Sequence, residues 1–167
     1  SLRVMLEVWS RDLPNFRGRF FNATGIKATP RPVQRPHPPI LVGGHSPRAF
    51  RWAATYGAGW MAPGLPKTEL ARLIAGFKNA AEALGKDPAT FEVLAGVALV
   101  MTDSPGPRER MPFTGVAEQL AEDVAEYTKM GVTSLRFSSS LRGEGPEPAM
   151  MLEMAERFAR DVMPLVS

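Results

Sequence analysis

The chain predicts an α/β fold: a parallel sheet covered by helices, built from four consecutive βα units. Two observations carry this. Short apolar runs, glycine- or proline-marked turns and amphipathic helical stretches alternate four times in the same order. The 167 residues, 44% hydrophobic and 22% charged, are also the amount and kind of chain that makes one globular core, so a single domain over residues 1–167 is expected. The 16 prolines and 15 glycines cluster without a period, so they act as punctuation and exclude collagen-like or low-complexity chains.

The elements follow in order. Leu2, Met5, Leu6 and Trp9 share one helical face, and the pattern starts with no cap or strand before it. Residues 10–39 read as a long proline-rich loop, because Pro30, Pro32, Pro36, Pro38 and Pro39 force extended backbone on their neighbours; a short edge strand is expected near residues 19–23. Ile40, Leu41 and Val42 form a strand buried on both faces. Gly43 and Gly44 break it, Ser46 is placed to cap a helix, and Pro47 suits its first position. Gly57 closes that helix.

The same order then repeats. Residues 59–62 form a short strand, followed by a helix over 67–84 with Leu70, Leu73, Ile74, Phe77, Ala81 and Leu84 on one stripe. Residues 91–101 lack a helical stripe and read as the longest strand, and 103–115 as a loop. Val116, Leu120, Val124 and Tyr127 mark a helix closed by Gly131. Residues 132–137 are a strand, 138–147 a loop and 148–162 the last helix. Glu144 and Glu147 stand near its start and Arg157 and Arg160 near its end, matching the helix dipole, and Pro164 is expected to stop it. This order fits a small doubly wound sheet and half of an eight-fold barrel; a whole barrel takes about 250 residues.

Composition narrows the function. No cysteine is present, which excludes disulfides, thiolate metal sites and cysteine nucleophiles. The net charge of +3 comes from scattered arginines and lysines rather than a basic stripe, so nucleic acid is not an expected partner, whereas a phosphorylated small ligand suits the mild positive balance. No apolar run is long enough for a membrane span, and the first residues do not read as a secretory signal, so a cytoplasmic protein is expected. The only histidines, His37 and His45, lack a carboxylate at ligand spacing, so no metal site is expected.

The most informative stretch is ILVGGHSPRAF, residues 40–50. Two glycines let a ligand approach the backbone, and the free N–H groups of a helix start favour an anion. The expected donors are the amides of Gly44, His45, Arg48 and Ala49, since Pro47 has none. The same glycines also suffice for a tight turn that holds nothing, and the residues alone leave both readings open. A hydrolase reading, with Ser46 as nucleophile on a strand-to-helix turn, fails because the next residue must donate an amide to the oxyanion and is Pro47. In GAGWMAPG, residues 57–64, the dinucleotide fingerprint is incomplete; Trp60 and Met61 suit either a pocket mouth or the core.

The span PRPVQRPHPPILVGGHSPRAFRWAATYGAGW, residues 30–60, resembles the luciferase-like monooxygenase family of flavin- and deazaflavin-dependent oxidoreductases. LGKDP at 84–88 and the MGV turn at 130–132 extend the likeness more weakly. The resemblance implies an eight-fold βα barrel of which this chain is the C-terminal half, its strands the fifth to eighth and its opening helix the one before the fifth. It implies that Gly43, Gly44, His45 and Ser46 cradle the cofactor's phosphate arm, with Gly59 and Trp60 beside it. The lead-in and GGHSP look more like the branch using coenzyme F420, with FMN as the alternative. Ala58 stands where many relatives carry Asp. Ring- and substrate-contacting residues of the family come mainly from the first four strands, so no catalytic residue is carried over. The implied function is hydride transfer or monooxygenation on a small-molecule substrate; the alternative is an inert half-barrel that binds a phosphorylated ligand or pairs with another chain. A half-barrel leaves sheet edges open, so a homodimer or association with an N-terminal half is expected.

Overall fold

Four strands pair in chain order, and that order defines the architecture. The computed structural model describes residues 1–138 and 148–166. In it β3 (Leu41–Gly43), β4 (Gly59–Ala62), β5 (Glu92–Ala98) and β8 (Ser134–Ser138) form one sheet with neighbours β3-β4-β5-β8, every pair parallel. The connections carry α2 (Pro47–Tyr56), α3 (Lys67–Glu82) and α4 (Ala117–Met130). A doubly wound sheet reverses strand order at a switch point, whereas barrel strands follow one another without reversal. The uninterrupted order is therefore an arc of a (β/α)8 barrel, half of its circumference, as expected.

Alternation along each strand separates two faces. Val42, Trp60, Val93, Ala95, Val97, Leu135 and Phe137 turn to the helices and share one core with Phe50 and Ala53 of α2 and Leu70, Leu73, Ile74 and Phe77 of α3. Trp60 sits edge-on to Phe50 at 5.2 Å between centroids, and Phe77 stacks edge-on with Phe91 at 5.6 Å. Such pairs add about 1 kcal/mol each beyond burial. The other face, the barrel interior, carries Gly43, Met61, Leu94, Gly96 and Arg136; Met61 and Leu94 stay half-buried and Arg136 exposed.

The strand expected over 40–42 and buried on both faces is instead β3, at the edge of the described sheet: Ile40 lies outside it, Gly43 belongs to it, and Leu41 and Val42 are half-buried. The structure departs from the sequence-based expectation in four further places. Residues 10–39 contain a small antiparallel hairpin, β1 (Asn15–Arg17) with β2 (Asn22–Thr24), while much of the span expected as an edge strand is its turn, held by Gly18 N–H to Phe21 O at 2.9 Å. Strands of three residues leave too little alternation to read. The strand expected over 91–101 is broken at Leu99: β6 (Val100–Met101) leaves the sheet to pair with β7 (Thr114–Gly115). Leu99 marks the change because its side chain is buried in a second cluster with Leu120 and Val162. The α3 stripe ends at Ala81, and Leu84, 43% exposed, lies off it because the chain tightens into a turn closed by Gly85 at φ +68°. Finally, α5 (Pro148–Arg157) continues through a π turn (Phe158–Val162) and a 3-10 turn (Met163–Leu165), so Pro164 is absorbed near the start of the last turn rather than ending the winding. The loop expected over 138–147, with Glu144 and Glu147, lies largely outside the described residues. Helix α1 (Leu2–Ser10) packs on the hairpin.

Gly59 is the tightest point of the sheet. A Cβ there would stand 2.1 Å from the Glu92 carbonyl oxygen, a backbone atom that cannot move without breaking the β4–β5 ladder. Gly59→Ala is expected to lower stability by about 3 kcal/mol in urea titration; an unchanged midpoint would contradict this packing.

Candidate phosphate-binding turn and its surroundings

The turn from β3 to α2 lies at the carboxyl edge of the sheet, where parallel α/β folds place their ligands. It is a short, defined structure. Ser46 caps α2, its Oγ accepting from Ala49 N–H at 3.2 Å, and Pro47 fills the first helical position. Gly44 takes φ +108°, a conformation that side chains rarely adopt, and a Cβ there would stand 3.1 Å from the Ala49 Cβ. The fold itself therefore demands Gly44. Gly43 differs: a Cβ would meet only the end of Met61 at 3.5 Å, ordinary contact, so this exposed glycine leaves open space that packing does not require.

Trp60 fixes the turn from beneath. Its indole Nε1–H donates to the Gly44 carbonyl at 2.6 Å while the ring is fully buried between Phe50 and Phe77. Because the peptide unit is planar and trans, drawing the Gly44 carbonyl inward turns the His45 N–H the opposite way, out of the core. Trp60 thus acts on the turn through one hydrogen bond from inside the core, and Gly59 acts by letting β4 approach β5. Of the four amides expected to be free, Ala49 is corrected: its N–H is taken by Ser46. Those of Gly44, His45 and Arg48 meet no protein acceptor among the described residues. Arg48 lies in the first turn of α2 and Gly44 and His45 just before its cap, where the helix dipole adds to the attraction for an anion.

Around the turn, the Arg48 guanidinium lies over the Trp52 ring at 4.5 Å from its centroid, one helical turn on. Glu69 on α3 pairs with Arg72, whose hydrogen bond holds the Glu69 carboxyl below its usual range; His45 adds a smaller pull in the same direction. His37, by contrast, lies in the proline-rich segment, its Nδ1 2.8 Å from the Pro38 carbonyl. No cluster that would hold a metal ion is present among the described residues.

A second organised region was not legible in the sequence. Asp123, on the polar side of α4 by pattern, is 2% exposed and accepts from Arg110 at 2.5 Å, from the Phe113 amide at 2.7 Å and from Lys67 at 3.0 Å. Burial pulls the Lys67 ammonium down, but hydrogen bonds to Glu126 and Asp123 outweigh it and leave it above the usual lysine range. Phe113 is held at φ +59°, its ring buried against Tyr127 and Phe137. Gln119 clamps Gly106 through both its amide atoms, each at 2.9 Å. Together these contacts pin the long segment between β6 and α4. Arg136 was also missed, although an arginine alternating with apolar residues in LRF, residues 135–137, is the signal that places it on the barrel's inner face.

Two variants test these supports. Trp60→Phe keeps an aromatic ring in the core and removes one half-buried hydrogen bond; it is expected to cost about 1 kcal/mol in urea titration and to change the His45 amide shift by NMR. An unmoved His45 resonance would show that the indole does not set the turn. Asp123→Ala leaves Arg110 and the Phe113 amide without their shared acceptor and is expected to cost about 3 kcal/mol; a loss below about 0.5 kcal/mol would remove this carboxylate from the account.

Comparison with known proteins assigns the family. Residues 1–111 match the luciferase-like monooxygenase family. An F420-dependent hydroxymycolic acid dehydrogenase of Mycobacterium tuberculosis is 32% identical over 103 residues, 62% of this chain and 28% of the dehydrogenase. An FMNH(2)-dependent dimethylsulfone monooxygenase of Pseudomonas putida is 37% identical over 59 residues, 35% of this chain and 16% of the monooxygenase. The coenzyme F420-dependent tetrahydromethanopterin reductase of Methanopyrus kandleri superposes with a TM-score of 0.78 at 12% identity, covering 98% of this chain and 61% of the reductase, a likeness of fold. The matches to the two curated relatives thus span less than a third of either. With a family match over residues 1–111 and four parallel strands in barrel order, the chain belongs to the luciferase-like monooxygenase family.

Proposed function

We propose that Gly43, Gly44, His45 and Ser46 hold the phosphate arm of coenzyme F420, or of FMN in its place, within a hydride-transferring oxidoreductase whose C-terminal half-barrel this chain supplies. The observation that carries the reading is the set of amides on Gly44, His45 and Arg48 without protein acceptors, beside the open space at Gly43. Amide hydrogen bonds to a charged oxygen contribute about 1.5–3 kcal/mol each, and the helix start adds its dipole. The residues fit a phosphate: donors and a clear approach, with no carboxylate on the turn itself. The names of the two cited relatives, one F420-dependent and one FMNH(2)-dependent, support both cofactors.

The chain's own part in the reaction is positional. Ser46 holds the helix start, Trp60 aims the His45 amide outward, and Gly59 brings β4 against β5; with the tail fixed, the bound cofactor supplies the redox-active ring. The barrel's inner face carries Met61, Leu94 and Arg136 of this chain. The substrate is a small molecule. No described helix is long and apolar enough to cross a membrane.

The sheet within the described residues ends at β3 and β8, whose outer edges have no strand partner there. Such edges seek pairing. We expect them to be covered by N-terminal barrel strands or by a second copy.

Gly43→Asp sets a carboxylate where the phosphate would lie without straining the fold. Fluorescence titration is expected to show affinity for F420 and FMN falling about ten-fold or more at unchanged melting temperature. Equal affinity would remove the turn from the site, and no binding of either cofactor to the parent chain would favour the inert half-barrel. Light scattering is expected to show an associated species; a stable, non-aggregating particle of 18.2 kDa would contradict the covered edges.

A further inference from the structure

A cavity of about 600 Å³ opens above the carboxyl ends of β4 and β5, away from the Gly43–Ser46 turn. Its walls come from the β4–α3 connection, the end of β5 and the segment pinned by Asp123. Leu65, Val97, Val100, Met111 and Tyr127 line it, and its volume lies within the range of small-molecule sites, about 300–1,000 Å³. Val100 and Met111 leave 41% and 66% of their surface in water at this opening, more than packing alone calls for.

The charges at the cavity are unequal. Lys67 and Arg110 both line it, but Asp123 and Glu126 answer them. Arg108 lines it too and makes no ion pair or hydrogen bond among the described residues. The cavity therefore combines an apolar body with one unanswered guanidinium. A neighbouring polar cavity shares Lys67, Arg108 and Arg110 with it but is bordered by Glu122, Glu126 and Asp123, which would repel further negative charge. The pinned segment makes the wall preformed: Asp123 and Gln119 hold Arg110, Phe113 and Gly106 in place before any ligand arrives.

We infer that this pocket binds an amphiphilic organic carboxylate, its apolar chain or ring against Leu65, Val97 and Met111 and its single carboxylate on Arg108. The inference does not rest on the cofactor reading, since every residue it uses lies outside the Gly43–Ser46 turn.

Calorimetric titration with decanoate and decan-1-ol, with methyl NMR to locate the ligand, tests it. Decanoate is expected to bind more tightly than the alcohol and to shift the methyls of Leu65, Val97, Val100 and Met111. Arg108→Gln is expected to weaken decanoate about five-fold and leave decan-1-ol unchanged. Met111→Glu, at an exposed position, is expected to weaken decanoate further than the alcohol. Absence of decanoate binding, equal binding of the two ligands, an unaffected Arg108→Gln variant, or shifts confined to Met61 and Leu94 on the barrel's inner face would each overturn the assignment.

Discussion

The candidate cofactor site depends on one half-buried hydrogen bond, from the buried Trp60 indole to the carbonyl of the exposed Gly44. The indole has little freedom: its ring is fully buried among Phe50 and Phe77, and β4 is pressed against β5 by Gly59. A donor so constrained turns a peptide carbonyl inward, and the rigidity of the peptide unit does the rest. The outward amides at the start of α2 are thus a consequence of core packing. A βα turn without such an anchor would be free to rotate its peptide and fill its own donors.

The same economy holds at the other end of the sheet's carboxyl edge. A buried charge is costly unless it is paired and hydrogen-bonded. Asp123 meets that condition by accepting from two cations and a backbone amide, so one carboxylate fixes α3, α4 and the segment between β6 and α4 relative to one another. Arg108, two residues before Arg110, is left out of that network. Two regions of one barrel edge are thereby built with opposite logic: exposed amides at the first, a single leftover guanidinium above apolar walls at the second.

Much of this was legible in the residues. The βα repeat, the turn at Gly44, the Ser46 cap and the Gly131 helix end all follow from local chemistry, and the structure keeps them; Gly43, expected to break the strand, is instead its last residue. What local chemistry does not carry is tertiary choice. Asp123 looks like any polar-face residue of α4 until Arg110 and Lys67, far apart in the chain, converge on it. The break at Leu99 depends on which cluster takes its side chain, and the hairpin in 10–39 on pairing between strands too short to show alternation. At the turn, the sequence offered four amides; only the cap geometry reveals that Ser46 takes the one on Ala49. Trp60 was open between pocket mouth and core; its register with Val42 and Val93 puts it in the core, from which its indole N–H reaches the Gly44 carbonyl.

The most direct test of the central claim follows backbone amides one by one. On addition of F420 or FMN, ¹⁵N-resolved spectra should show the Gly44, His45 and Arg48 resonances moving downfield together while Ala49, already donating to Ser46, stays nearly still. A cofactor that binds and moves other amides, leaving these three in place, would contradict the account.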